Sequence, residues 1–203
     1  RNQPCTSNPA VVTLTADTIK AQFRARPELD GFSIGVNDGA GYCECEACRQ
    51  ARGERTWAEY RCDLMTRLSR QRILERARAV NPNAKVIIKY PQWYDNLHNR
   101  GYDVVRETAD FDRIWVGTET RDYGDARWGG TPQYEAYFIM RWLGGMGGEK
   151  CGGGWFDPYG TTERTYVEQA RQTVLGGARE SLLFCYGSLL RETGPKNVEL
   201  FRE

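Results

Sequence analysis

Phe32-Ser33-Ile34-Gly35-Val36-Asn37-Asp38, followed at once by Gly39-Ala40-Gly41-Tyr42-Cys43-Glu44-Cys45-Glu46-Ala47-Cys48, is the stretch from which the rest of the chain is read. Its first residues are mostly apolar and partly β-branched, which predicts a short buried strand over 32–37. The strand ends in an amide and a carboxylate, and the glycines that follow let the chain turn away. Three cysteines then fall at C-x-C-x-x-C spacing in a Cys-rich loop, 39–56. One stretch thus offers a proton-transfer group and a metal site side by side.

Outward from it, helices and strands alternate. Asn8 as N-cap and Pro9 at the first helical position start a helix that runs to about Arg26. Val11, Leu14, Ile19 and Phe23 are available to its buried side. Beyond the loop, an amphipathic helix is predicted from Trp57 to about Val80, closed by Asn81-Pro82-Asn83. Strands follow at 85–90, 111–117, 151–156 and 181–186, with helices at about 102–109, 134–143 and 162–175 between them. The run 144–154 is too rich in glycine to continue a helix. No strand shows clean polar/apolar alternation, which suits strands covered on both faces.

Such alternation means parallel strands with helical crossovers. Polar and aromatic groups crowd the carboxyl ends of the strands: Asn37 and Asp38, Tyr90 and Trp93, Glu119 and Arg121, Asp157 and Tyr159, Tyr186. A (β/α)8 TIM-barrel type fold gathers all such ends on one face, whereas an open doubly wound sheet gathers them at a switch point. The barrel is therefore the expected fold class, with residues 1–203 forming one domain or the C-terminal part of one. Five strands are three short of eight, however.

Length and composition narrow the field. The 203 residues suffice for one well-cored domain, and a formal net charge of +1 with no dense basic run predicts no nucleic-acid partner. No apolar run approaches the ~18–20 residues of a membrane span. The chain opens on Arg rather than Met, which leaves the compartment open between cytoplasmic and secreted.

Two sets of side chains carry chemistry. Asp38, Glu119 and Asp157 stand at strand ends lined by aromatic rings, and two carboxyl groups facing each other are what glycosidic bond cleavage requires. Tyr90, Trp93, Trp155, Tyr159 and Tyr186 would supply stacking platforms for sugar faces, with Asn37 and Arg121 as polar contacts. A single histidine, His98, gives little support to Ser-His-Asp or two-histidine metal chemistry. Seven cysteines cannot all pair within one chain. Cys43, Cys45 and Cys48 give three of the four ligands a structural zinc needs, and the fourth is Cys5 or Cys62. Cys151 and Cys185 read as core thiols.

The segment Asn37-Asp38 through Cys48 resembles family 42 β-galactosidases, in which Asn-Glu ends the fourth barrel strand and a zinc-binding C-x-C-x-x-C follows at the same offset. It is also similar to an uncharacterised bacterial family related to family 163 endo-β-N-acetylglucosaminidases. The likeness covers about residues 5–50. It implies that these strands are the fourth to eighth of a barrel, with the first three upstream. It also implies a fourth zinc ligand some forty residues before the cluster, and Cys5 lies 38 residues before Cys43. On this register Asp38 stands where the acid/base glutamate is expected, and Asp157 ends the seventh strand, where the nucleophile belongs. Both are one methylene shorter than glutamate, which would widen their separation toward the inverting spacing of ~6.5–9.5 Å. Alternatively Glu119 is a principal carboxylate and Asp38 only positions the substrate. The expected function is hydrolysis of an oligo- or polysaccharide. A catalytically silent carbohydrate-binding barrel and a zinc-stabilised interaction module are the competing readings, and dimerisation or a missing N-terminal barrel segment would cover the open sheet edge.

Overall fold

The computed structural model describes residues 4–5, 7–34, 41–127 and 130–184. The described residues form five strands: β1 (Gly31–Ile34), β2 (Lys85–Tyr90), β3 (Arg113–Gly117), β4 (Cys151–Phe156) and β5 (Glu180–Leu183). They are sheet neighbours in chain order. β1 pairs with β2, β3 with β4, and β4 with β5, all in parallel. This is an α/β fold. A sequential order is compatible with part of a TIM barrel, whereas a doubly wound sheet reverses its order at the switch point. Two compact units make up the chain, one from Arg1–Lys89 and Asp95–Arg113, the other from Tyr90–Tyr94 and Ile114–Glu203. No described helix is long and apolar enough to cross a membrane.

In the first unit, α1 (Pro9–Ala25) starts as its sequence predicts, with the Asn8 side chain accepting from the Ala10 N–H at 3.0 Å. Its inward stripe is Val12, Ala16 and Phe23, buried, with Ile19 partly buried between them, a helical i, i+4, i+7, i+11 series. Leu14 falls off that stripe and is 69% exposed, so its expected place in the core is corrected. The loop after β1 also proves more regular than expected, because Glu46–Arg52 form a helix, α2. The helix expected over 57–80 is segmented: α3 (Trp57–Arg67) passes into a π-helical stretch, Leu68–Leu74, and then into α4 (Glu75–Arg78). A capping box between Thr56 and Glu59 fixes its start. Val12, Leu68 and Ile73 form one apolar cluster, and Phe23, Ala77 and Ala84 form another. The short helix α5 spans Val104–Asp110.

In the second unit, α6 runs from Glu135 to Gly147 and so includes the glycine run expected to break it. The reason is packing. A side chain on Gly147 would collide with Ile114 of β3, so this glycine lets helix and strand approach closely, while one on Gly144 would collide with Met140 one turn earlier in the same helix. Close approach also explains how Cys-Gly-Gly-Gly-Trp-Phe makes a strand: a Cβ on Gly153 would fall on the backbone of Glu180 in β5. β4 is nearly all buried, and β3 is buried except at Arg113 and Trp115. α7 (Glu163–Leu175) turns Thr165, Tyr166, Gln169 and Thr173 inward, and Tyr166 stacks edge-on against Phe156.

Candidate active site and metal centre

The parallel register places the first site. Gly117 of β3 lies beside Trp155 of β4, and continuing both strands by two residues puts Glu119 next to Asp157. Neighbouring strands are ~4.8 Å apart, so in-register side chains on one face touch. They do: the two carboxyl groups hydrogen-bond to each other. Trp155, two residues before Asp157 and therefore on the same face, donates its indole N–H to Glu119 Oε1 at 3.1 Å. Gly117 makes room for that arrangement. A Cβ there would stand 2.9 Å from the Trp155 ring and 3.1 Å from Glu119 Oε2.

Arg121 completes the group. Its guanidinium meets the Asp157 carboxylate at two points, Nε to Oδ1 at 3.2 Å and a terminal nitrogen to Oδ2 at 2.9 Å. Asp157 is 2% exposed, and its Oδ1 also accepts the Tyr159 N–H at 3.0 Å. Arg121 reaches this position from a backbone with φ of +58°, which non-glycine residues seldom adopt. Burial, and then the negative charge of Asp157, push the Glu119 carboxyl up to about 8, against the opposing pull of Arg121. Glu119 therefore keeps its proton at neutral pH.

This contact limits the chemistry. Retaining and inverting glycosidases hold their two carboxyl groups ~5–5.5 Å and ~6.5–9.5 Å apart, with sugar or water between. A hydrogen bond between the Glu119 and Asp157 carboxyl groups leaves no such gap between these two. Of the expected aromatic platforms, Trp93 and Tyr159 are half-buried, Trp155 is spent on Glu119, and Tyr90 is fully buried with no face to offer. Asn37, Asp38, Cys185 and Tyr186 lie outside the described residues. Gln169 went unnoticed in the sequence. Its Oε1 accepts the Arg121 N–H at 3.2 Å and its Nε2 donates to the Asp157 carbonyl at 2.7 Å. A polar residue on the inward stripe of α7 was the only available signal.

The second site belongs to the other unit. Cys5, Cys43, Cys45 and Cys48 bring their sulfurs within 4.8 Å of one another. Cys5 and Cys48 are 3.7 Å apart, and a tetrahedron of thiolates ~2.3 Å from a zinc ion has edges of ~3.8 Å. A disulfide would need about 2 Å. The donor set fits a structural metal. α2 supplies Cys45 at its N-cap and Cys48 in its first turn. The Cys48 N–H, and then the thiols of Cys43 and Cys48, draw the Cys45 thiol down to about 7, whereas burial pushes Cys5 up to about 12. Cys62 is not in the cluster: it is buried in α3 and its thiol faces the His98 carbonyl at 3.6 Å. Ser7 links Cys48, at 3.4 Å, to the Tyr60 hydroxyl, at 2.6 Å. The loop is also gripped from α3, where Arg61 lies 4.2 Å over the Tyr42 ring and pairs with Glu44.

Comparison with known proteins agrees with the hydrolytic reading at the level of family. No solved structure matches the chain. An uncharacterized protein of Saccharolobus solfataricus is 31% identical over 154 residues, 72% of this chain; the chain spans about a quarter (24%) of that relative. Residues 1–67 match a domain of unknown function, DUF4838. Residues 40–200, most of the chain, match the model of a probable glycosyl hydrolase catalytic domain, and the chain belongs to that family.

Proposed function

We propose that this chain is the C-terminal part of a (β/α)8 glycoside hydrolase, contributing strands four to eight, and that it cleaves oligo- or polysaccharides with Glu119 as the proton donor. The observation that carries the reading is a carboxyl at a strand end that is held by the Trp155 N–H beside Asp157, where burial and the neighbouring carboxyl push it up to about 8. A general acid must hold its proton at the working pH and release it to the departing oxygen in the transition state. Trp155 fixes the Glu119 carboxyl, and Asp157, neutralised in turn by Arg121, keeps the proton on it. Asp157 so acts through Glu119 and does not attack the sugar. The nucleophile or base in this reading is Asp38, with Asn37 and Tyr186 as further substrate contacts. Trp93 and Tyr159 are the platforms for the sugar.

The four cysteines hold a structural zinc, which clamps the loop beside Asp38 and takes no part in the reaction. A closed four-thiolate set leaves zinc no open position for a water or substrate. The resemblance of 37–48 to family 42 β-galactosidases and to relatives of family 163 supports both the register and the clamp. Incubating the protein with a panel of plant, bacterial and host glycans, and assaying new reducing ends, tests the function. Wild type should release them and Glu119→Gln should not. Sugar binding without release by wild type would instead favour a silent binding barrel.

A further inference from the structure

We infer that Gln169 is a positioning residue of the carboxylate site, its side-chain amide fastening the two strand ends that carry Arg121 and Asp157. Gln169 is 1% exposed on the inward stripe of α7. Its single amide does two opposite things at once, accepting from the Arg121 N–H at 3.2 Å and donating to the Asp157 carbonyl at 2.7 Å. Only a side chain with a donor and an acceptor side by side can do this at that reach. The two residues it joins are those whose side chains form the bidentate ion pair, so one clamp sets both halves of that pair.

Two further observations make the clamp more than a satisfied core amide. Arg121 sits at φ +58°, a conformation that its surroundings must hold, and the bond to Gln169 Oε1 falls on its own N–H. One turn further along α7, Thr173 donates to the Thr118 hydroxyl at 2.6 Å, and Thr118 donates to the Trp155 carbonyl at 3.1 Å. α7 therefore braces β3 and β4 at consecutive levels, Thr173 below the site and Gln169 at it. Losing Gln169 would free the Arg121 turn, withdraw the guanidinium from Asp157, and leave Glu119 facing a less compensated anion.

The inference rests on the proposed role of Glu119, so its test includes a readout that needs no turnover. The Glu119 side-chain carboxyl is titrated by 13C NMR in wild type, Gln169→Met, Gln169→Glu and Thr173→Val. Gln169→Met keeps the volume and removes both bonds, and its Glu119 midpoint should rise by at least half a pH unit. Thr173→Val removes the neighbouring brace and should leave that midpoint unchanged, which separates positioning from general loosening. Gln169→Glu should approach wild type only at low pH, where a protonated carboxyl again offers one donor and one acceptor. It also serves as the decisive variant if Gln169→Met does not fold. On a cleavable glycan, Gln169→Met should lower kcat at least tenfold with little change in KM. An unshifted Glu119 midpoint in folded Gln169→Met, or a Gln169→Glu variant that tracks wild type at every pH, would overturn the inference. Absence of turnover in wild type would instead count against the hydrolase reading.

Discussion

Replacing Glu119 by Gln gives a test that needs no substrate, because the amide imitates the protonated carboxyl. Gln retains an oxygen to accept the Trp155 N–H and gains an N–H to offer Asp157, as the neutral acid does. In wild type the carboxyl is pushed from 4.5 to about 8. Between those values the native protein holds a proton that the unfolded chain releases, so stability falls as pH rises. The slope is about 1.4 kcal/mol per pH unit, or about 5 kcal/mol over the window as an upper bound. Water reaching the half-buried group lowers this, and a loss of about 2–4 kcal/mol is expected. That is a large share of the ~5–15 kcal/mol that holds a domain together. Urea unfolding followed by tryptophan fluorescence, from pH 5 to 8.5, measures it. Wild type and Glu119→Gln should be about equally stable at pH 5 and diverge steadily to pH 8, with the variant the more stable. Other titrating groups are common to both proteins and cancel in the difference. Parallel curves would show that Glu119 titrates normally and would refute the reasoning.

Other expectations follow from the same structure. Metal analysis should find about one equivalent of zinc, retained in Cys62→Ser and lost in Cys43→Ser or Cys5→Ser. Stripping the metal with a strong chelator should lower the melting temperature by several degrees, and zinc should restore it. Gly117→Ala should cost about 1–3 kcal/mol and change Trp155 fluorescence, since its methyl group must push the indole aside. Glu107 is 1% exposed with an unpartnered Oε2, and burial, followed by the charge of Asp103, raises its carboxyl well above 4.5. Glu107→Gln should therefore gain more in thermal stability over wild type at pH 8 than at pH 5. Asp63 meets Arg55, Arg67 and Arg106 at 2.7, 2.7 and 3.1 Å; burial opposes its ionisation, but the arginines outweigh it and its carboxyl is lowered. Its contribution is present above the usual carboxylate range and fades as pH falls through it. Asp63→Asn should cost about 1 kcal/mol at pH 7 in low salt and less in high salt.

The strand order and the cysteine cluster were legible because each rests on local signals. Apolar runs punctuated by Asn, Gly and Pro mark the strands, and C-x-C-x-x-C brings three thiols together whatever the tertiary context. Local pattern left Cys5 and Cys62 open and only the resemblance favoured Cys5; in the fold the Cys5 thiol lies with the cluster, while the Cys62 thiol faces the His98 carbonyl. Local propensity failed where packing overrides it. The glycines at 144–147 read as a helix end, yet Gly147 is what lets α6 lie against β3. Leu14 reads as core, yet the helical stripe passes through Val12 and Ala16. The carboxylate site was half visible. Strand-end position named Glu119, Arg121 and Asp157, but their mutual contact depends on the β3/β4 register, which no local pattern encodes. Gln169 is joined to them only across 48 and 12 residues of chain, through backbone groups that every residue has.

If Glu119 protonates the leaving group, turnover by a Glu119 variant must depend on how much the leaving group needs that proton. Once the sugar specificity is known, wild type and Glu119→Gln are compared on two glycosides of that sugar. One carries 2,4-dinitrophenolate, which departs without a proton, and the other a sugar alcohol, which cannot. The variant should keep turnover of the dinitrophenyl glycoside within about tenfold and lose about 10²–10⁴-fold on the natural linkage. An equal loss on both substrates, or none on either, would contradict that role for Glu119.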